Sequence, residues 1–132
     1  MIYEHKISNT ESVVEMYDNV TGKFMHQTWV KLIGVKERDR MVLRTFTHRD
    51  DGPAVVFACG YKAWYLNGSL HRTDGPAFEF ANGNKYWYLN GKFHRIDGPA
   101  IEYANGYKSW YINSVQYSED DFNQVIEVLW AV

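Results

Sequence analysis

His71-Arg72-Thr73-Asp74-Gly75-Pro76-Ala77 stands between two near-copies of itself, His48-Arg49-Asp50-Asp51-Gly52-Pro53-Ala54 and His94-Arg95-Ile96-Asp97-Gly98-Pro99-Ala100. The offsets are equal, 71 − 48 = 23 and 94 − 71 = 23 residues. A second phrase keeps the same step: Trp64-Tyr65-Leu66-Asn67-Gly68, Trp87-Tyr88-Leu89-Asn90-Gly91 and Trp110-Tyr111-Ile112-Asn113-Ser114. A gapless period of this length marks a repeat array, in which each unit completes its core by stacking on its neighbour.

The chemistry inside one period predicts β-hairpins. Asn67-Gly68 and Asn90-Gly91 suit two-residue type I′ turns, whose central residues both need positive φ. Before the first of these turns Lys62, Trp64 and Leu66 fall on one face and Ala63 and Tyr65 on the other, and the Trp and Leu face is the expected core. In Asp-Gly-Pro, Asp can bond the following backbone, Gly is expected to take a φ that other residues resist, and Pro can open a strand. The Arg of the phrase is expected to face outward.

Working outward, residues 2 to 7 read as a strand. Residues 13–17 and 24–30 read as a hairpin across Asp18 to Gly22, in preference to a helix carrying Val13, Met16, Tyr17 and Val20. Trp29 to Val35 and Met41 to Thr47 form a second hairpin across Lys36 to Asp39. One period back from Trp64-Tyr65-Leu66 lies Met41-Val42-Leu43, so this hairpin is expected to be a degenerate first repeat. After the third repeat, Ser118 offers an N-cap, Glu119, Asp120 and Asp121 suit the positive end of a helix, and Phe122, Val125, Ile126 and Leu129 make a helical stripe. The spacing predicts a helix over 119 to about 129 that closes the open end of the array.

The expected architecture is mainly β: a single-layer antiparallel array of 23-residue hairpin repeats, with N-terminal hairpins and a C-terminal capping helix. One domain is expected over 1–132, divided into 1–47, 48–114 and 115–132. An aromatic content of 17% argues against a disordered chain. A net charge of −2 with mixed signs gives no general field for nucleic acid or anionic membrane. Cys59 is the single cysteine, so no intramolecular disulfide can form. Met1 to Lys6 places a carboxylate where a signal peptide would be apolar, and no run approaches the ~18 apolar residues of a membrane span. A cytoplasmic location is the expectation.

The residues Trp87-Tyr88-Leu89-Asn90-Gly91-Lys92-Phe93-His94 and Tyr103-Ala104-Asn105-Gly106, with the period, resemble MORN repeats over residues 48 to 114. The His-Arg-x-Asp-Gly-Pro-Ala variant is similar to repeats in proteins of tailed phages and their bacterial hosts. Two features depart from the common MORN pattern: the Asn-Gly turns lie closer together, and Asp-Gly-Pro stands where that pattern has His-Gly-x-Gly. The resemblance implies stacked hairpins, roles in protein association and dimer formation, contact with lipid headgroups, and an accessory or counter-defence role against a host protein.

Function is read from what repeats and what does not. His48, His71 and His94 recur as structural residues do, and no set of nucleophile, base and orienting group can be assigned, so no catalytic residue is expected. Equivalent His residues two or three strands apart stand roughly 10 Å or more from one another, too far for ligands that each lie ~2 Å from one zinc ion. Neither metal nor cofactor is expected. Tyr65, Tyr86, Tyr88 and Tyr111, with Lys62, Lys85, Lys108 and Arg49, Arg72, Arg95, form an aromatic and basic ladder suited to another protein, a host protein or a second copy in a homodimer. The rival reading is a binder of nucleotide or single-stranded nucleic acid using the same ladders. Met1 to Val35, which does not repeat, could also carry the specificity.

Overall fold

The computed structural model describes residues 1–131, with only the backbone described at Val35 and Lys36. The chain falls into two compact units, Met1–Ser69 and Leu70–Val132. Both are antiparallel β, and the second ends in a helix.

In the first unit, β1 (Ile2–Lys6), β2 (Glu11–Tyr17) and β3 (Phe24–Glu37) lie side by side. The β2–β3 turn forms because the Asp18 carboxylate accepts from the backbone N–H of Val20 (2.9 Å) and Thr21 (2.6 Å), while Gly22 sits at φ 67°. β3 is one strand of 14 residues where the sequence suggests two. Its N-terminal part pairs with β2 and with β5 (Val55–Phe57), and residues 30 to 37 pair with β4 (Arg40–Thr47) across Arg38-Asp39. β6 (Lys62–Ala63) pairs with β5, and β7 (Tyr65–Leu66) leads into the Asn67-Gly68 turn. β8 (Ser69–Leu70) follows that turn.

In the second unit, β9 (Phe78–Glu79), β10 (Lys85–Tyr86), β13 (Ile101–Glu102), β14 (Lys108–Ile112) and β15 (Val115–Tyr117) are neighbours in that order. β11 (Tyr88–Leu89) and β12 (Lys92–Phe93) form a separate hairpin. α1 (Glu119–Trp130) packs against β14 and β15. Ser118 caps it by accepting from Asp121 N–H at 3.1 Å, and Phe122 is the buried anchor. Val125 and Ile126 are half-buried, whereas Leu129, expected on the stripe, is exposed with Val128 and Trp130.

The repeat is not a pair of continuous strands. The strand is interrupted at Trp64 and Trp87, giving two pieces of two residues in each of the first two repeats, whereas β14 runs unbroken through Trp110. The residues sealed at the centre are small: Ala54, Ala77 and Ala100 have no exposed surface and Ala63 has 1%. Among the described residues no larger side chain is as deeply buried. Only a methyl group fits where successive backbones approach this closely.

The turns hold neighbouring hairpins together. Gly68 N–H bonds Thr47 O, Gly91 N–H bonds Leu70 O and Ser114 N–H bonds Phe93 O, each at 2.8 Å. Asn67, Asn90 and Asn113 have φ of 50°, 51° and 48°, as type I′ geometry requires.

The degenerate repeat is the expected hairpin, but its register differs from the one counted back by period. Trp87 N–H bonds Ala100 O (2.7 Å), and His94 N–H bonds Trp87 O (3.1 Å). The same two bonds join Trp29 to Ala54 O (2.8 Å) and His48 to Trp29 O (2.9 Å). Trp29, not Met41, is therefore the tryptophan of the first repeat. Trp87 and His94 enclose 94 − 87 − 1 = 6 residues and Trp29 and His48 enclose 48 − 29 − 1 = 18, a difference of 12 that lengthens the first hairpin into the β3–β4 arm.

Candidate functional site

The Arg of the repeated phrase turns inward. Arg95 donates from Nε to Asp97 (2.9 Å) and from Nη1 to Pro99 O and Glu102 (3.0 Å each), while its Cζ lies 3.9 Å above the centre of the Trp87 ring. Arg72 repeats this with Asp74 (2.8 Å), Pro76 O (3.0 Å) and Glu79 (3.3 Å). Arg49 uses Asp51 (2.9 Å), Pro53 O (3.2 Å) and the face of Trp29 (4.0 Å). The hydrogen bond and charge of the guanidinium hold the carboxyls of Asp51 and Asp74 below their ordinary range. Arg49, Arg72 and Arg95 thus lock the joints instead of standing free as outward-facing cations, and their side chains keep 26%, 21% and 20% of their surface exposed.

The same geometry explains the Gly. Gly52, Gly75 and Gly98 are not among the positive-φ residues. A Cβ on Gly75 or Gly98 would lie 2.9 Å from the Arg Cζ, and one on Gly52 3.1 Å. Glycine is needed because the guanidinium lies flat against it.

Each His acts as a lid on the next turn. Nδ1 of His48, His71 and His94 accepts from the backbone N–H of Asn67, Asn90 and Asn113 at 2.9, 3.0 and 3.1 Å. A ring nitrogen that accepts an amide proton leaves the imidazole's own proton on Nε2. The ring then has no free lone pair for a general base or a metal.

His48 nevertheless differs from its counterparts. It is 5% exposed, and Nε2 faces Asp50 Oδ1 at 3.0 Å, where the other repeats carry Thr73 and Ile96. Glu11 completes a group whose potential ligand atoms lie within 4.8 Å of one another, beside a cleft of about 280 Å³. The donor set does not suit an ion: giving Nε2 to a metal would move the proton to Nδ1, against Asn67 N–H.

The aromatic ladder packs largely on itself. Tyr88 stacks on Phe93 at 4.3 Å, and Phe93 meets Tyr111 at 5.1 Å. Tyr86 touches Phe80 (5.1 Å), Phe93 (5.9 Å), Phe78 and Tyr103 (6.0 Å each). Burial, then the Tyr103 hydroxyl, pushes the Tyr86 phenol up to about 12. Tyr65, Tyr86, Tyr88 and Tyr111 are all half-buried. Lys62, Lys85 and Lys108 are exposed, but Lys85 stands opposite both Glu79 and Glu102, and Lys108 opposite Glu102. Lys62 stands opposite Val56 and has no carboxylate across from it.

An apolar opening lies elsewhere in the second unit. A groove of about 690 Å³ has Trp87, Leu89, Ile96 and Trp130 in its lining, rimmed by the fixed pairs Arg72–Asp74 and Arg95–Asp97. Ile96 is 43% and Trp130 74% exposed. Sequence reasoning missed both residues. Ile96 occupies the variable place of the phrase, and Trp130 lies off the helical stripe; an aliphatic residue at a position held elsewhere by Asp50 and Thr73 was the available signal.

The fold and this surface define a β-hairpin repeat module with a helical cap. No protein-family model matches the chain, and neither a curated protein nor a solved structure does.

Proposed function

We propose that the chain is a non-enzymatic protein-binding repeat module and that the groove of the second unit is its binding surface. One observation carries the reading: Ile96 and Trp130 remain exposed on a groove whose rim charges are already immobilised by hydrogen bonds. Preformed rims and large apolar anchors suit a protein ligand, because little side-chain entropy is lost on docking. The guanidiniums already bonded within the joints lend little support to phosphate recognition. Among the described residues no helix is long and apolar enough to cross a membrane.

The test is affinity capture from lysate with the chain and with an Ile96→Asp, Trp130→Ser variant, both checked for unchanged circular dichroism. The proposal expects a retained protein that the variant loses. Capture of the same proteins by both forms, or a salt-sensitive shift with single-stranded DNA, RNA or a cyclic nucleotide, would count against it.

A further inference from the structure

A second surface, independent of the groove, is the free edge of the first unit. β1 pairs with β2 alone among the described strands, and all five of its residues are exposed. Ile2, Tyr3 and Ile7 leave 65%, 47% and 56% of their surface to solvent. The edge carries no proline, and β1 pairs in register with β2 without a bulge. Such an edge accepts another strand unless something on it forbids the match.

Backbone geometry narrows the match. Ile7 N–H donates to Glu11 O and Tyr17 N–H to Met1 O, both at 2.8 Å, so the odd-numbered residues of β1 turn their backbone groups toward β2. Alternation then directs the N–H and C=O groups of Ile2, Glu4 and Lys6 away from the sheet.

We infer that a second copy of this chain pairs with that edge, β1 against β1, in the antiparallel register centred on His5. A two-fold axis perpendicular to a sheet can only set a strand against itself with one residue on the axis, since paired side chains must share a face. Centring on Glu4 or on Lys6 places like charges opposite each other. Centring on His5 places Glu4 opposite Lys6 of the second copy, and Tyr3 opposite Ile7 of the second copy, each twice. Glu4 and Lys6 also make the outward backbone pair that this register needs. Among the described residues neither has an ion-pair partner within 4.0 Å, so both charges are available. The His5 rings are held by Glu15 on β2 at 3.3 Å.

An edge contact of this size is at the weak end of protein interfaces, so association is expected to depend on concentration. The test is sedimentation equilibrium on the full chain at low ionic strength, over a wide concentration range. Glu4→Lys and Lys6→Glu each turn two attractive pairs into repulsive ones and are expected to weaken the dimer about tenfold. The double variant Glu4→Lys, Lys6→Glu restores both pairs in the His5-centred register and is expected to recover the dimer. The groove variant Ile96→Asp, Trp130→Ser is expected to leave it unchanged, which separates this inference from the proposed function. A monomer at every concentration, as when the edge serves a foreign strand, would overturn it. So would a dimer indifferent to the single swaps or not rescued by the double one.

Discussion

The guanidinium of Arg95 lies between the Trp87 ring and Gly98, and a Cβ there would have to displace it. Gly98→Ala is expected to lift the arginine off the indole and cost about 1–2 kcal/mol, the worth of the stack and of one charge-assisted hydrogen bond. Urea titration reads the loss, and an unshifted midpoint would show that the guanidinium yields without consequence. Ser114, at φ 65°, holds a left-handed conformation that Gly68 and Gly91 provide without strain. Ser114→Gly should therefore stabilise by roughly 1 kcal/mol. Tyr86 supplies a pH dependence. Its folded pKa of about 12 lies above the ordinary tyrosine value of 10.0, so its contribution is complete below pH 10 and is lost as pH rises toward 12. Alkaline unfolding of wild type and Tyr86→Phe, followed by circular dichroism, should diverge across that window and stay diverged above it, and identical profiles would remove Tyr86 as the cause. At this scale the Asn-Gly turns were legible, because their φ requirement is written in residue type. The inward Arg was not, since a long cation is usually solvated and nothing local shows that an indole and a glycine will enclose it.

At the scale of elements, the period made the hairpins and their stacking readable, while the interruption at Trp64 and Trp87 escaped a rule that assumes continuous alternation. The first repeat falls on the expected hairpin, but its register differs for a related reason. Counting by a fixed step passes over an insertion, and only the bonds Trp29 N–H to Ala54 O and His48 N–H to Trp29 O show that 12 residues were added between a tryptophan and its histidine. If the β3–β4 arm is an elaboration of the repeat hairpin, the fold should not need it. Replacing Val30 to Thr47 with the six residues Tyr88 to Phe93 is expected to leave the circular dichroism and a cooperative thermal transition intact. Loss of the folded state would show instead that the arm belongs to the core of the first unit. The aromatic ladder taught the converse lesson: Tyr and Trp are equally the residues of interfaces and of thin cores, and composition alone does not separate the two uses.

For the whole molecule, the alanine seam and the terminal helix decide how stability is distributed. Each unit is sealed by alanines, Ala54 and Ala63 in the first and Ala77 and Ala100 in the second, and so buries little apolar surface per hairpin; each hairpin then depends on bonds to its neighbours, and an end without a neighbour needs a lid. α1 supplies that lid in the second unit through Phe122, which is 4% exposed. Phe122→Ala should cost ~3–5 kcal/mol of local stability by removing a buried ring. In an array held by nearest-neighbour contacts the loss is graded. Amide hydrogen exchange is therefore expected to accelerate most in β14 and β15, which α1 covers, less in β13 and β10, and least in β1 to β3 of the first unit. Equal acceleration at every protected amide would show that both units unfold in a single cooperative step, and that the helix stabilises the whole chain rather than the end it covers.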